Sequence, residues 1–432
     1  MTSDTGLRLK VLTRNERRRR LILPRHGARP ARATARNGKS SPHTPAPYGD
    51  VTQTMNITEP SFDETEIALL RRCLDSHWVT QGPLTTEFER AFATRHNAKH
   101  ALATTSCTAA LHLATTALGL KAGDEVIVPA FTWVTSAHCA EYVGARAVFA
   151  DIEADTFNLD PVALEAAITP ATRAVVVVHL FGLAARIEEI VAIARRKGLL
   201  VIEDAACAVG TMYRGVPVGA IGDIGCFSFH PRKVITTGEG GMVTTARDDL
   251  AARVKSLRNH GSTGPARGAD PTRPYTMSTF DLLGFNLRLS DIQASVGLAQ
   301  MAKLDRLLAE RSELARRYTE LLAGVAEIAT PVAPHGCGHT YQSYVIRVRE
   351  GGRDLRNRVM DRLAERNIQT RPGTHAPFRL GYYVQKYGIP PDAFPNAAMA
   401  EDCTITLPIF PGMTEADQDL VASTLISALR TS

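Results

Sequence analysis

The chain has 432 residues, 44% of them hydrophobic and 22% charged, with 50 Lys and Arg against 44 Asp and Glu and a formal net charge of +6. That length can bury a large core over two domains, and the composition is that of an ordinary globular protein. Seven cysteines, odd in number and without a CxxC pair, give neither a disulfide framework nor a zinc site, and the longest apolar run, Ala174 to Ala185, is far too short to span a bilayer.

The first fifty residues hold twelve Lys or Arg and three acidic residues, so they carry +9 and the remainder carries −3. The basic balance is therefore a property of this segment. Arg17 to Arg20, followed by Pro, Ala, Ser and Gly, cannot build a core, which predicts a disordered extension over 1–54. A nucleic-acid or membrane-surface arm is the sharper reading of such a segment. A solvated extension, or a start at Met55, is the plainer and preferred one, so neither a nucleic acid nor a membrane is expected as partner. No hydrophobic stretch follows the arginines as in a signal peptide, an organellar presequence stays open, and a cytoplasmic location is expected.

From Ile57 onward helical and strand patterns alternate. Helices are predicted at Asp63 to Ser76 and Leu84 to Arg95. The segment Ala101 to Ala114 then reads as a short strand, a run of small hydroxylated residues and a helix. A helix start offers unpaired amides and the positive end of its dipole to a phosphate, and Ser106 and Thr108 can add hydroxyls; simple N-capping is the alternative. No Walker or GxGxxG spacing is present, so a nucleotide site of those kinds is not supported. Strands follow near Glu125 to Val128, Ala147 to Ala150 and Ala174 to Val178.

Gly198 to Gly210 reads as a buried parallel strand ending in Glu203 and Asp204. Ligands of open α/β sheets sit beyond that end of the strands, where the Asp204 carboxylate can face a ring nitrogen and keep it protonated. Glu203, adjacent on an alternating strand, points the other way and is structural. A helix cap is the alternative for Asp204. Short strands at Gly225 to Phe229 and Gly241 to Thr244 flank a loop carrying Lys233. With its stem packed against Phe227, Phe229 and Val234, this amine can lose its proton and condense with an aldehyde; an ordinary surface lysine is the alternative. Gly261 to Thr276 is a polar, glycine-rich loop, either mobile near the substrate or plain surface. Ser290 to Leu322 is strongly helical, and a smaller domain follows with a strand at Ser343 to Val348 and a helix at Asp354 to Arg366. The rhythm predicts an α/β fold, a mostly parallel sheet covered by helices on both faces.

A phosphate-holding helix start, a strand-end Asp and a loop Lys, in that chain order, are the parts of a fold type I pyridoxal phosphate enzyme. Seven blocks narrow the match: Trp78-Val-Thr-Gln-Gly-Pro83, Ser106-Cys-Thr-Ala-Ala-Leu-His-Leu113, Pro129-Ala-Phe-Thr-Trp133, His179-Leu-Phe-Gly182, Glu203-Asp-Ala-Ala206, Phe227-Ser-Phe-His-Pro-Arg-Lys233 and Gly284 to Gln293. Through them the sequence resembles the DegT/DnrJ/StrS family of sugar aminotransferases from about Ile57 to the C-terminus.

The resemblance implies an aspartate aminotransferase-like fold, with a large pyridoxal phosphate-binding domain over 55–324, bridging helix included, and a small α+β domain over 325–432. Lys233 would attach the cofactor and shuttle protons, and Asp204 would pair with its pyridine nitrogen. Trp133 would stack on the ring. The helix start Ser106, Cys107, Thr108 and Ala109, together with Ser228, would hold the phosphate. Asn286 would reach that phosphate from a partner subunit, which makes a homodimer with shared sites the expected assembly. Cys207 departs from the family, which usually has Gln or His there near the ring oxygen; a thiol is the weaker hydrogen-bond partner. Arg288, Arg371 and His375 are candidates for contact with substrate.

The implied reaction moves an amino group from L-glutamate, or glutamine, to a keto group of a nucleotide-activated deoxysugar in two half-reactions. Amination of a keto-cyclitol is a close alternative. Sugar dehydratases of the same fold carry His in place of the lysine, so Lys233 favours transamination. A regulator that only binds cofactor or sugar would have no need of the lysine.

Overall fold

The computed structural model of the chain describes residues 54–266 and 268–430. The extension expected over 1–54 lies outside them, apart from Thr54. Seven strands form the main sheet: β1 (His100–Thr104), β2 (Glu125–Pro129), β3 (Arg146–Ala150), β4 (Thr172–Val178), β5 (Leu200–Asp204), β6 (Ile224–Ser228) and β7 (Gly241–Thr245). Their spatial order is β1-β7-β6-β5-β4-β2-β3. All neighbours run parallel except around β7, which is antiparallel to both β6 and β1.

Strands of a parallel sheet are buried on both faces, so their sequences are apolar without polar alternation. In β4, Ala174, Val176 and Val178 enter one core while Val175 and Val177 enter the other. The first core is covered by α3 (Cys107–Ala117), α4 (Thr135–Tyr142) and α7 (Asp248–Leu257). The second is covered by α1 (Glu64–Asp75), α2 (Pro83–Arg95), α5 (Pro161–Ala166), α6 (Ile187–Lys197), α8 (Asp291–Ala302) and the start of α9 (Leu304–Leu321). Apolar residues at helical spacing on α6, among them Ile187, Ile190, Val191 and Ala194, make the buried stripe, and Gly198 ends the helix in the left-handed conformation that favours glycine.

A three-stranded antiparallel sheet, β8 (Ile328–Ala329), β9 (Tyr344–Val348) and β10 (Thr404–Leu407), has its own core. There Tyr344, Ile346, Ile405 and Leu407 meet α9, α10 (Gly352–Glu365) and α13 (Glu415–Arg430). The short helices α11 (Gly381–Tyr387) and α12 (Pro395–Cys403) lie between α10 and β10 in the chain. Among the described residues no helix is long and apolar enough to cross a membrane.

Two expectations need correction. The helix expected from Ser290 to Leu322 is divided at Lys303, which ends α8 and precedes α9. The turn carries the Lys303 ammonium inward to Glu66 at 2.6 Å and Asp63 at 3.1 Å at the start of α1. The glycine-rich stretch after Gly261 is in part a hairpin, Ser262–Pro265 pairing with Ser278–Phe280.

Candidate active site

Strand register brings the site together at one edge of the main sheet. Asp204 closes β5 opposite Cys226, two residues before Ser228. Ser228 pairs with Gly241, and Gly241 pairs on its other side with Thr104 at the end of β1. Just beyond, Ser106 caps α3, its Oγ accepting from the Ala109 amide at 3.1 Å. A Cβ on Gly241 would lie 2.5 Å from the Ser106 carbonyl and 2.7 Å from the Cys107 nitrogen, so only glycine lets β7 pass this close under the helix start. Ser106 to Ala109, Asp204 and Ser228 thus share one edge, facing the positive end of α3.

Asp204 is buried, with only 4% exposure. Ser136 of α4 donates to it at 2.6 Å and the Ala206 amide at 3.1 Å, while Ser136 is itself bonded to Thr132 at 2.9 Å. Burial pushes the Asp204 carboxyl above its ordinary range, against the pull of these donors and of the Lys233 charge. Glu203 faces the opposite side and accepts from the amides of Gly219, Ile221 and Gly222 at 2.7, 2.8 and 2.6 Å, and from His179 Nε2 at 3.0 Å. Burial works against its ionisation too, but here His179 and the amides prevail and hold the carboxyl below its usual range. His179 Nδ1 accepts from the Ala185 amide at 3.1 Å, which places the ring proton on Nε2 toward Glu203.

Lys233 sits half-buried in the loop between β6 and β7, flanked by buried Phe229 and Val234. Its Nζ donates to the Cys207 sulfur at 3.1 Å. Its charge reaches both Asp204 and the thiol of Cys107, so amine, acid and helix start are gathered around one space. Arg371 lies within electrostatic range of Cys207 and Arg232. Trp133 is more than half exposed, and its ring meets His375 at 5.6 Å between centroids, the two segments being joined by the Thr132 amide donating to the His375 carbonyl at 2.9 Å. Arg288 bridges to Thr104 at the end of β1 and donates to Asn259 at 2.5 Å. Asn286, two residues away, is exposed. Sequence reasoning missed Ser136, Thr132 and Arg232. Ser136 follows the β2 end by seven residues and reaches Asp204 only because α4 folds back over the sheet, which no local pattern announces.

The set fits pyridoxal phosphate. Helix amides with Ser106, Thr108 and Ser228 are donors for a phosphate, the buried acid has no ion-pair partner among the described residues, and the charge of the amine reaches it. Residues 60–426 match the DegT/DnrJ/EryC1/StrS aminotransferase family. The chain belongs to that family. It is 40% identical over 382 residues to GDP-perosamine synthase of Caulobacter vibrioides, covering 87% of this chain and 98% of that protein. To the spore coat polysaccharide biosynthesis protein SpsC of Bacillus subtilis it is 38% identical over 362 residues, 83% of this chain and 93% of the other. Among solved structures, the PLP-form of Spr1654 from Streptococcus pneumoniae, described as a sugar aminotransferase, superposes with a TM-score of 0.82 at 28% identity, over 88% of this chain and 99% of that one. DesV of S. venezuelae gives 0.77 at 33% identity, over 84% and 93%. This DegT-family chain is accordingly a pyridoxal phosphate-dependent aminotransferase.

Proposed function

We propose that the enzyme transfers an amino group from L-glutamate to a keto carbon of a nucleotide-activated deoxysugar, working as a homodimer in which Asn286 of each subunit completes the other's phosphate site. The observation that carries the reading is the convergence of the Lys233 amine with buried Asp204 beneath the α3 N-terminus. Near-complete coverage of GDP-perosamine synthase at 40% identity supports a sugar nucleotide as acceptor. In the same reading residues 55–324 are the cofactor-binding domain and 325–432 a smaller one, supported by the separate core around β9 and β10.

When bound, pyridoxal phosphate supplies an electron sink for the carbon that loses its proton. The chain's own groups do the rest. The amides and hydroxyls of 106–109 and Ser228 would anchor the phosphate, and Asp204, steadied by Ser136, would hold a positive charge at the pyridine nitrogen. Lys233 Nζ takes the proton from the donor α-carbon and returns one at the close of each half-reaction. The exposed Trp133 indole offers a flat apolar wall.

The test is mass-spectrometric. Purified protein with pyridoxal phosphate, L-glutamate and a panel of nucleotide keto-sugars is expected to yield an amino-sugar nucleotide, and Lys233→Ala is expected to yield none while keeping its circular dichroism. Folded, cofactor-loaded wild type that aminates keto-cyclitols but no nucleotide keto-sugar would overturn the acceptor.

A further inference from the structure

Cys207 stands where the family usually carries Gln or His, and it brings a sulfur to the lysine. Its Sγ accepts from Lys233 Nζ at 3.1 Å, so two nucleophiles of unlike chemistry meet at hydrogen-bond distance. Turns hold both partners in place. On one side the Ala206 amide donates to Asp204 at 3.1 Å and the Ala208 amide to the Ala205 carbonyl at 2.8 Å, closing the chain around Cys207. On the other the Lys233 amide donates to the His230 carbonyl at 2.8 Å. Both residues are half-buried, which leaves them within reach of a small solute. The other six cysteines are buried, and burial pushes every one of their thiols above the ordinary range. They stay protonated and enclosed, and such thiols are inert, because the thiolate is the form that attacks a peroxide. Cys207 alone among the seven is open to a small oxidant.

The geometry points to a reversible covalent bridge between Cys207 and Lys233, formed when a hydroperoxide enters the site while the amine is free. The thiolate attacks one peroxide oxygen: an S–O bond forms, the O–O bond breaks, and water or an alcohol departs. The sulfur, oxidised by two electrons, is left as a sulfenic acid. The Lys233 lone pair then attacks that sulfur; an N–S bond forms, the S–O bond breaks, and the hydroxyl leaves as water with a proton of the amine. The hydroperoxide is the sole oxidant, reduced in the first step. Sulfenic acids condense with a backbone nitrogen by the same route, and here a side-chain nitrogen stands 3.1 Å from the sulfur. Two equivalents of a thiol split the bond, return the cysteine and the amine, and are themselves joined as a disulfide. Neither Gln nor His at this position has such chemistry. Because Lys233 is the proposed attachment and proton-transfer group, the bridge stops the enzyme without unfolding it. It goes beyond the aminotransferase reading and is independent of which keto compound is aminated.

Full-length protein saturated with pyridoxamine phosphate, which has no aldehyde to engage the amine, is treated with hydrogen peroxide, digested without reductant and mapped by mass spectrometry. The peptides carrying residues 207 and 233 should be recovered joined, lighter than their sum by two hydrogens, and dithiothreitol should part them. Activity should be lost in proportion to the joined fraction and regained with the reductant. Cys207→Gln, read against its own untreated activity, should show neither the joined peptide nor a loss that dithiothreitol repairs. Both side chains unchanged, or Cys207 carried to the sulfinic acid with Lys233 unmodified, would overturn the bridge. So would a dithiothreitol-reversible loss that persists in Cys207→Gln. The peptide map of wild type decides the matter even where Cys207→Gln does not fold. Pyridoxal phosphate in place of pyridoxamine phosphate should suppress the joining; equal joining in both forms would uphold the bridge and remove Lys233 from cofactor attachment.

Discussion

Asp204 is asked to stay ionised in a place that disfavours charge. Its two oxygens are served by one hydroxyl and one amide, and burial still outweighs them in the free protein. In the proposed pairing a positive pyridine nitrogen would reverse that balance, so that acid and cofactor would stabilise each other's charged forms. Ser136 then acts through Asp204. Ser136→Ala should weaken retention of pyridoxal phosphate roughly 10- to 100-fold, the worth of a hydrogen bond to a charged group, measured by equilibrium dialysis. Ser136→Thr, which keeps the hydroxyl, should recover most of it. Equal retention in Ser136→Ala and wild type would remove Ser136 from the site. Glu203, one residue earlier and equally buried, has four donors and so needs no ligand to remain charged.

At the scale of elements, helices are started by distant side chains as well as by their own caps. The N-cap of α2 is Gly82, which has no side chain to offer. Asp291, the first residue of α8, accepts instead from the amides of Gly82, Leu84 and Thr85 at 2.8, 3.1 and 2.9 Å and from the Thr85 hydroxyl at 2.6 Å. One carboxylate thereby satisfies the orphan donors of a helix some two hundred residues away. Asp291→Ala should cost about 3 kcal/mol, since it leaves several buried donors unmet, visible as a lower denaturant midpoint. A loss below about 0.5 kcal/mol would show that water replaces it. Such links explain what could be read from the chain. The strands and most helices were legible because β4 and β5 hold short continuous apolar runs and α6 a helical pattern in their own residues, and the placement of Asp204 at a strand end and of Lys233 in a loop between strands was legible for the same reason. Ser136, Asp291 and the break at Lys303 were not, because each answers to a partner brought near only by the fold.

For the molecule as a whole, His96 sets part of the acid limit. Fully buried, it stacks on Phe92 at 4.0 Å, bonds through Nδ1 to the Phe92 carbonyl at 3.1 Å, and accepts the Gly210 amide on Nε2 at 3.2 Å. Burial holds its pKa down to about 4, from 6.5 in the unfolded chain. Between these values the unfolded state binds a proton that the native state refuses, so stability is full above about pH 6.5 and falls as the pH drops toward 4, by up to about 3 kcal/mol. Denaturant midpoints should slope over that window in wild type and flatten in His96→Gln; parallel slopes would acquit His96. The feature with the widest reach is the reversed strand β7. Gly241 joins Ser228 and Thr104 in a single rung, so the proposed phosphate seat and the loop that carries Lys233 cannot drift apart without breaking the lattice of the sheet. A slip of one residue would turn every side chain of β7 to the opposite face. Residues 229–240 therefore behave like a handle riveted at both ends: its surface can be recarved to suit new substrates, while its hinge points stay where the chemistry needs them.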